Sequence, residues 1–263
     1  MAGRAADVSA ERPVILSIFP GIDLLGRAFE EAWPEACLVR GPDLIWGGDV
    51  RTFHPPTGVF DGVIGGPPCA AFSRLRHLVN ANGHPPAENL IPEFERVIKE
   101  AHPRWFLMEN VPEAPGPIVD GYRTVSHLIF DHWVGGETRR ARRFWIGGAW
   151  PEVIRMAIDW PALHRPDPEP PVLASGGSPV PVAIGGSGKL KRTRRAIETR
   201  KGAAALGFKT ERYLIKAIRD SGLPEDFLAR APFTVAGKIH VIGNGVPMAL
   251  GRAVAWAFRK VYA

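Results

Sequence analysis

Cysteine is almost absent: two residues in 263 exclude a disulfide framework and leave no paired-cysteine metal site. No metal is expected. Long hydrophobic runs are missing too, and nothing approaches the roughly 20 apolar residues of a membrane-spanning helix. No membrane partner is therefore expected. Met1 to Arg12 is small and polar and lacks the apolar core of a secretory signal, so a cytoplasmic location is expected. There is no internal repeat. Acidic residues are outnumbered, 27 against 33 basic, for a formal net charge of +6. That mildly favours a polyanionic partner, although a merely basic soluble enzyme carries the same charge.

Glycine and proline are plentiful, 29 and 26 residues, and they gather at one informative place. The apolar run from Gly58 to Ile64 reads as a buried strand. Gly65-Gly66-Pro67-Pro68 stops it, because proline fixes φ and has no N–H to donate. Cys69 follows on a stiff turn at a strand end, where open α/β sheets bind ligands. A lone cysteine is more often a small buried hydrophobe. The rigid mount and the rest of the chain favour a nucleophile.

Strands alternate with helices, which predicts an α/β fold. Pro13 to Phe19 is the first strand, Pro20 to Asp23 a break, and Leu24 to Trp33 a helix with Leu25, Ala28, Phe29 and Ala32 on one face. Strand, glycine turn and helix place backbone N–H groups beside a ligand. Ala36 to Arg40 is a second strand ending at Asp43, and Gly48 to Phe53 a third candidate. An acid at a strand end suits a ribose or adenine, or simply caps a turn. Arg74 to Leu90 is polar and basic, either a surface loop or a flap that closes on substrate. Ile91 to Ala101 is a helix. Trp105 to Met108 is a strand that delivers Glu109. Partial desolvation there raises a carboxyl pKa, which suits a proton donor; a surface glutamate is the alternative.

Arg139, Arg140, Arg142 and Arg143 precede and enter a further strand. Arg140 and Arg142 share a face by the period of two and need an anion or carbonyl partner. Pro151 to Pro181 is proline-rich irregular chain. Gly185 to Gly188 is a hinge, and Lys189 to Arg195 is the densest positive charge, expected to contact phosphates. Glu211 to Ser221 is a helix. Ile239 to Pro247 contains a tight Gly-Asn-Gly turn leading to a final helix.

Five ordered blocks resemble the DNA cytosine-5 methyltransferase family. Gly65-Gly66-Pro67-Pro68-Cys69, with Phe72-Ser73, resembles its catalytic motif. Phe19-Pro20-Gly21-Ile22 resembles its S-adenosylmethionine loop, and Glu109-Asn110-Val111 its acidic block. Thr138-Arg139-Arg140-Ala141-Arg142 resembles its two-arginine block, and Gly243-Asn244-Gly245-Val246-Pro247 its C-terminal block.

The resemblance implies a Rossmann-like class I methyltransferase core over residues 1–148. It also implies a small, mostly irregular, basic target-recognition region over 149–236 and a return to the core over 237–263. The cofactor would be S-adenosyl-L-methionine and the partner double-stranded DNA, with the chain a monomer. A cognate restriction endonuclease would accompany it in the same system. Cys69 would attack C6 of a flipped-out cytosine, Glu109 would donate a proton at N3, and Arg140 and Arg142 would orient the ring. Phe19 would stack on the adenine and Gly21 admit the methionine part, with Ile22 and Asp23 beside them. Asp43 would take the ribose and Asp49 the adenine amino group, flanked by Val50. Pro67, Asn244 and Val246 would close the pocket. Ser73, Arg74, Arg76, Lys189, Lys191, Arg192, Arg194 and Arg195 would contact nucleic acid.

The chain departs from the family where Asp23 stands for a second glycine, and Ala70 and Thr138 each for a glutamine. The alternatives are a tRNA cytosine-5 methyltransferase and a non-catalytic DNA-binding module with a decayed cofactor site.

Overall fold

The computed structural model describes residues 12–72, 87–149 and 211–263, and the backbone of a short hairpin, β7 (Ala183–Ile184) with β8 (Leu190–Lys191). The expected contacts Ser73, Arg74, Arg76, Lys189, Arg192, Arg194 and Arg195 lie outside the described residues, as does the side chain of Lys191.

Six strands form one sheet. They are β1 (Val14–Ile18), β2 (Cys37–Arg40), β3 (Gly62–Gly65), β4 (Trp105–Asn110), β5 (Arg123–Phe130) and β6 (Ala141–Gly148), in the order β2-β1-β3-β4-β6-β5. The first four are parallel. β6 runs antiparallel between β4 and β5. From β1 the chain steps outward to β2, then crosses back to β3 on the other side. The carboxyl ends of β1 and β3 therefore flank the reversal of strand order, where an open sheet has a crevice.

The helices are α1 (Leu24–Ala32), α2 (Ile91–Ala101), α3 (Glu211–Asp220), α4 (Val235–Asn244) and α5 (Met248–Tyr262). The central strands are apolar on both faces, as sheets covered on both sides must be. One face buries Ile15, Ile64, Leu107 and Phe144 with Phe29 of α1 and Phe258 of α5. The other buries Leu16, Val63, Phe106 and Trp145 with Phe94 and Ile98 of α2. Tyr213, Leu214 and Ile218 of α3 pack with Leu24 and Ala28 of α1 and Ile239 and Ile242 of α4.

Two expectations are corrected. Gly48 to Phe53 is no strand: Val50–Thr52 is a single 3-10 turn, because Asp49 accepts from its own neighbour Arg51 N and caps it. Residues Ile239 to Asn244 are helical, not a turn. Thr234 caps α4 through Gly237 N, and the chain turns only at Gly245, whose N–H donates to the Val241 and Ile242 carbonyls. Between the Glu109 strand and the arginine cluster the chain forms the edge strand β5. Among the described residues no helix is long and apolar enough to cross a membrane.

Candidate active site

The turn after β3 is held from two sides. Gly65 leaves no room for a side chain: a Cβ there would lie 2.7 Å from the Ile18 carbonyl oxygen. Asn110, buried at the end of β4, donates from Nδ2 to the Pro67 carbonyl at 3.0 Å. Cys69 then opens a 3-10 turn, closed by Phe72 N–H onto its carbonyl at 2.9 Å, and is part-exposed.

Glu109 ends up beside this turn because β3 and β4 are parallel neighbours. A Cβ on Gly66 would lie 3.0 Å from Glu109 Oε2. The antiparallel register sets Glu109 opposite Phe144 and Asn110 opposite Arg143. Arg142 therefore shares a face with Glu109, and its Nε lies 2.6 Å from Oε1. Glu109 is 7% exposed. Burial pushes its carboxyl up, opposed by the Arg142 and Arg140 charges. Arg140 is also buried, just ahead of β6, and donates to the Gly243 carbonyl and, at 3.1 Å, to that of Gly245. Burial and the nearby Arg142 charge pull it down to about 9, while Glu109, Cys69 and Asp131 pull the other way. It stays charged at neutral pH.

A cavity of about 410 Å³ runs along the strand ends. Of the expected residues, Phe19, Gly21, Ile22, Asp23, Asp43, Pro67, Cys69, Glu109, Arg142, Asn244 and Val246 line it. Asp49, Val50 and Arg140 are not among its walls. Asp49 is engaged by Arg51 through backbone and guanidinium, and Val50 is buried in the core. A further cavity of about 520 Å³ lies between Asp131–Glu137 and Arg219–Gly222 and holds neither Cys69 nor Glu109.

The loop after β1 is tight: Phe19, Gly21 and Asp23 all have φ near +55°, at 53°, 56° and 56°. Asp43 Oδ2 accepts from Gly21 N at 2.8 Å, and its Oδ1 accepts from Ile45 N at 2.9 Å. The second strand end is thus pinned to the first. Asp23 caps α1 through Gly26 N, accepts from Ser17 Oγ at 2.9 Å and pairs with Arg40 Nε at 2.7 Å. Sequence reasoning missed Ser17, Arg40, Asn110 and His240. Asn110 was legible as the middle residue of the Glu109 block. The other three carry no local signal.

The cavity fits S-adenosylmethionine in its donor set. Apolar Phe19, Ile22, Ile45 and Val246 suit a flat base. Asp43 keeps free lone pairs for hydroxyls, since a carboxylate offers about four acceptor sites.

Residues 47–117 match the family model of C-5 cytosine-specific DNA methylase. The chain is 34% identical over 162 residues to type II methyltransferase M.FnuDI of Fusobacterium nucleatum, covering 51% of this chain and 46% of that protein. It is 30% identical over 116 residues to M.NgoPII of Neisseria gonorrhoeae, covering 37% and 33%. The chain thus spans less than half the length of these curated relatives. Its fold resembles Entamoeba histolytica methyltransferase EhMeth and S. pombe Dnmt2. Each has a TM-score of 0.60 at 12% identity, over 96% of this chain and all of the other. The family match and the type II relatives support the cytosine-5 methyltransferase family.

Proposed function

We propose that this chain is a DNA cytosine-5 methyltransferase that uses S-adenosyl-L-methionine. The observation that carries the reading is one cavity lined by Cys69, Glu109 and Arg142 together with the Phe19–Asp23 loop. A nucleophile, a proton donor and an anion-orienting group meet there beside a cofactor-sized space.

The Cys69 thiolate adds to C6 of the cytosine, since only the thiolate attacks well. The ring's electron pair moves toward C5 as Glu109 supplies a proton at N3. Its raised pKa supports this role, because burial keeps the proton on the acid at higher pH. Arg142 holds Glu109 in place and leaves guanidinium N–H groups for a ring carbonyl. Bound cofactor supplies an electrophilic methyl group on a sulfonium. Loss of the C5 proton to a base then restores the C5–C6 double bond and expels Cys69 as thiolate, while the N3 proton returns to Glu109. A base within a duplex cannot reach the cavity, so the target leaves the stack.

We take duplex DNA as substrate, read by the 149–236 region, of which Glu211 onward packs on α1. The same reading has a monomeric cytoplasmic enzyme that shields sites from a cognate restriction endonuclease. The test is transfer of labelled methyl groups to duplex DNA and to tRNA side by side. Cytosine-5 methylation of DNA alone, abolished in Cys69→Ala, is expected. Transfer to tRNA alone, or full activity without Cys69, overturns the reading.

A further inference from the structure

The connection from β5 to β6 is rooted on a buried carboxylate. Asp131 has no exposed surface. Its Oδ2 accepts from Thr138 N at 3.0 Å and Thr138 Oγ1 at 2.7 Å. Its own N–H donates to the Arg140 carbonyl at 2.8 Å. Oδ1 has no hydrogen-bond partner among the described residues and fills the space where a Gly136 Cβ would stand, 2.1 Å away. Thr138 passes the constraint on: its Oγ1 accepts from Arg140 N at 3.3 Å. Burying a carboxylate is expensive, and a surface hairpin needs none. What the arrangement fixes is the path of Arg140.

Arg140 in turn bonds the carbonyls of Gly243 and Gly245. Between and beside them, Asn244, Gly245 and Val246 line the cavity. Gly245 is wedged against α1, where its Cβ would lie 2.6 Å from Leu24 Cδ1. Within the turn, the Gly245 N–H bonds only the carbonyls of its own helix, Val241 and Ile242. Across the cavity the turn is tied by Arg140, 103 residues earlier in the chain than Gly243, whose Nη2 donates to both carbonyls.

We propose that Asp131 and Thr138 are positioning residues which, through Arg140, set the Gly243–Val246 wall of the cavity and hence its affinity for the cofactor. The cofactor half rests on the function proposed above. Asp131 and Thr138 touch neither cofactor nor substrate. Their effect reaches the site only as the placement of Arg140.

The test compares wild type with Thr138→Val, which keeps the shape and removes the hydroxyl, and Thr138→Ser, which restores it. In cofactor-free protein, hydrogen exchange at residues 243–246 is expected to rise in Thr138→Val and to return to normal in Thr138→Ser. Calorimetry with S-adenosylmethionine is expected to show about tenfold weaker binding in Thr138→Val, the size of one lost buried hydrogen bond, rescued by serine. Unchanged exchange at 243–246, or no rescue, overturns the proposal. Should Thr138→Val not fold, Arg140→Met keeps a long stem but has no N–H to donate to the Gly243 and Gly245 carbonyls. It must then show the same local exchange, and wild-type exchange there overturns the proposal. If wild type binds no S-adenosylmethionine, the cofactor reading and the affinity claim fall together, while the exchange result still judges the positioning chain.

Discussion

Arg142 Nε stands 2.6 Å from Glu109 Oε1, with the two side chains 11% and 9% exposed. They meet because β4 and β6 are antiparallel and the register puts both on one face. A buried acid with one fixed cation has a defined orientation and a defined proton. Truncating Arg142 to alanine leaves the acid with Arg140's charge and no partner in contact. Loss of a charged hydrogen bond costs about 1.5–3 kcal/mol, so turnover is expected to fall roughly 10- to 100-fold. Calorimetric cofactor binding is expected to stay near wild type. Lysine, whose ammonium cannot reproduce both the Nε contact with Glu109 and the Nη1 bond to the Ala141 carbonyl, should recover little.

The pH dependence of stability follows from the same acid. Glu109 is raised by burial above the ordinary 4.5. The folded state therefore favours the protonated form. Its contribution to stability is present below the ordinary value and is lost as pH rises through the raised one. Glu109→Gln does not titrate. The thermal midpoint of Glu109→Gln should match wild type in acid and exceed it increasingly as pH rises, while turnover is lost. Asp23 and Asp131, raised by burial in the same direction, are common to both proteins and cancel. A constant difference across pH would contradict the assignment.

Much of this site was legible because strand ends and punctuating residues are local signals. The acid after Trp105–Met108 lies where the sequence placed it, and the strand before Gly66-Pro67-Pro68 is there but shorter than the Gly58 to Ile64 run, spanning Gly62–Gly65. What escaped depends on side-chain partners, near or far along the chain. Asp49 stood near the start of the strand candidate Gly48 to Phe53, yet its carboxylate finds Arg51 two residues on and makes a turn. Ile239 to Pro247 was read around a Gly243-Asn244-Gly245 turn because glycine and asparagine punctuate it, but burial of Ile239 and Ile242 against α1 and α3 carries the helix through to Asn244. Tertiary packing overrides propensity there. Arg140 and Arg142 were expected to act alike. In the fold one serves Glu109 and the other a turn in the C-terminal segment, a division set by contacts between distant segments.

The two glycines after β3 separate stability from activity. Alanine at Gly65 would meet the Ile18 backbone at 2.7 Å and Phe94 at 3.1 Å. Neither can move freely, so overpacking of about 1–3 kcal/mol is expected, which at this chain length lowers the thermal midpoint about 2–4 °C per kcal/mol. Alanine at Gly66 would crowd only Glu109, its Oε2 at 3.0 Å and its carbonyl oxygen at an ordinary 3.8 Å. That variant should melt like wild type and lose methyl transfer.

Asp23 combines a helix cap with a left-handed backbone, φ 56° and ψ 45°. Alanine there loses the cap, worth about 1 kcal/mol, and keeps a conformation that suits glycine. Glycine loses the cap contact but relieves the backbone, so its cost should be only a few tenths of a kcal/mol, about. Chemical denaturation should rank Asp23→Ala well below Asp23→Gly. Equal stabilities would show that the Ser17 and Arg40 contacts, not the cap geometry, dominate.

The proposed reaction turns on a covalent bond from Cys69 to C6, released only when C5 loses its proton. A fluorine at C5 cannot leave as a cation, so the adduct cannot resolve. The direct measurement is denaturing mass analysis after incubation with S-adenosylmethionine and DNA carrying 5-fluorocytosine. The expected result is a denaturation-stable species with the mass of protein plus DNA plus one methyl group, mapped by proteolysis to Cys69 and absent in Cys69→Ser. A stable adduct at any other residue, or methyl transfer to ordinary cytosine with no trapped species, would contradict it.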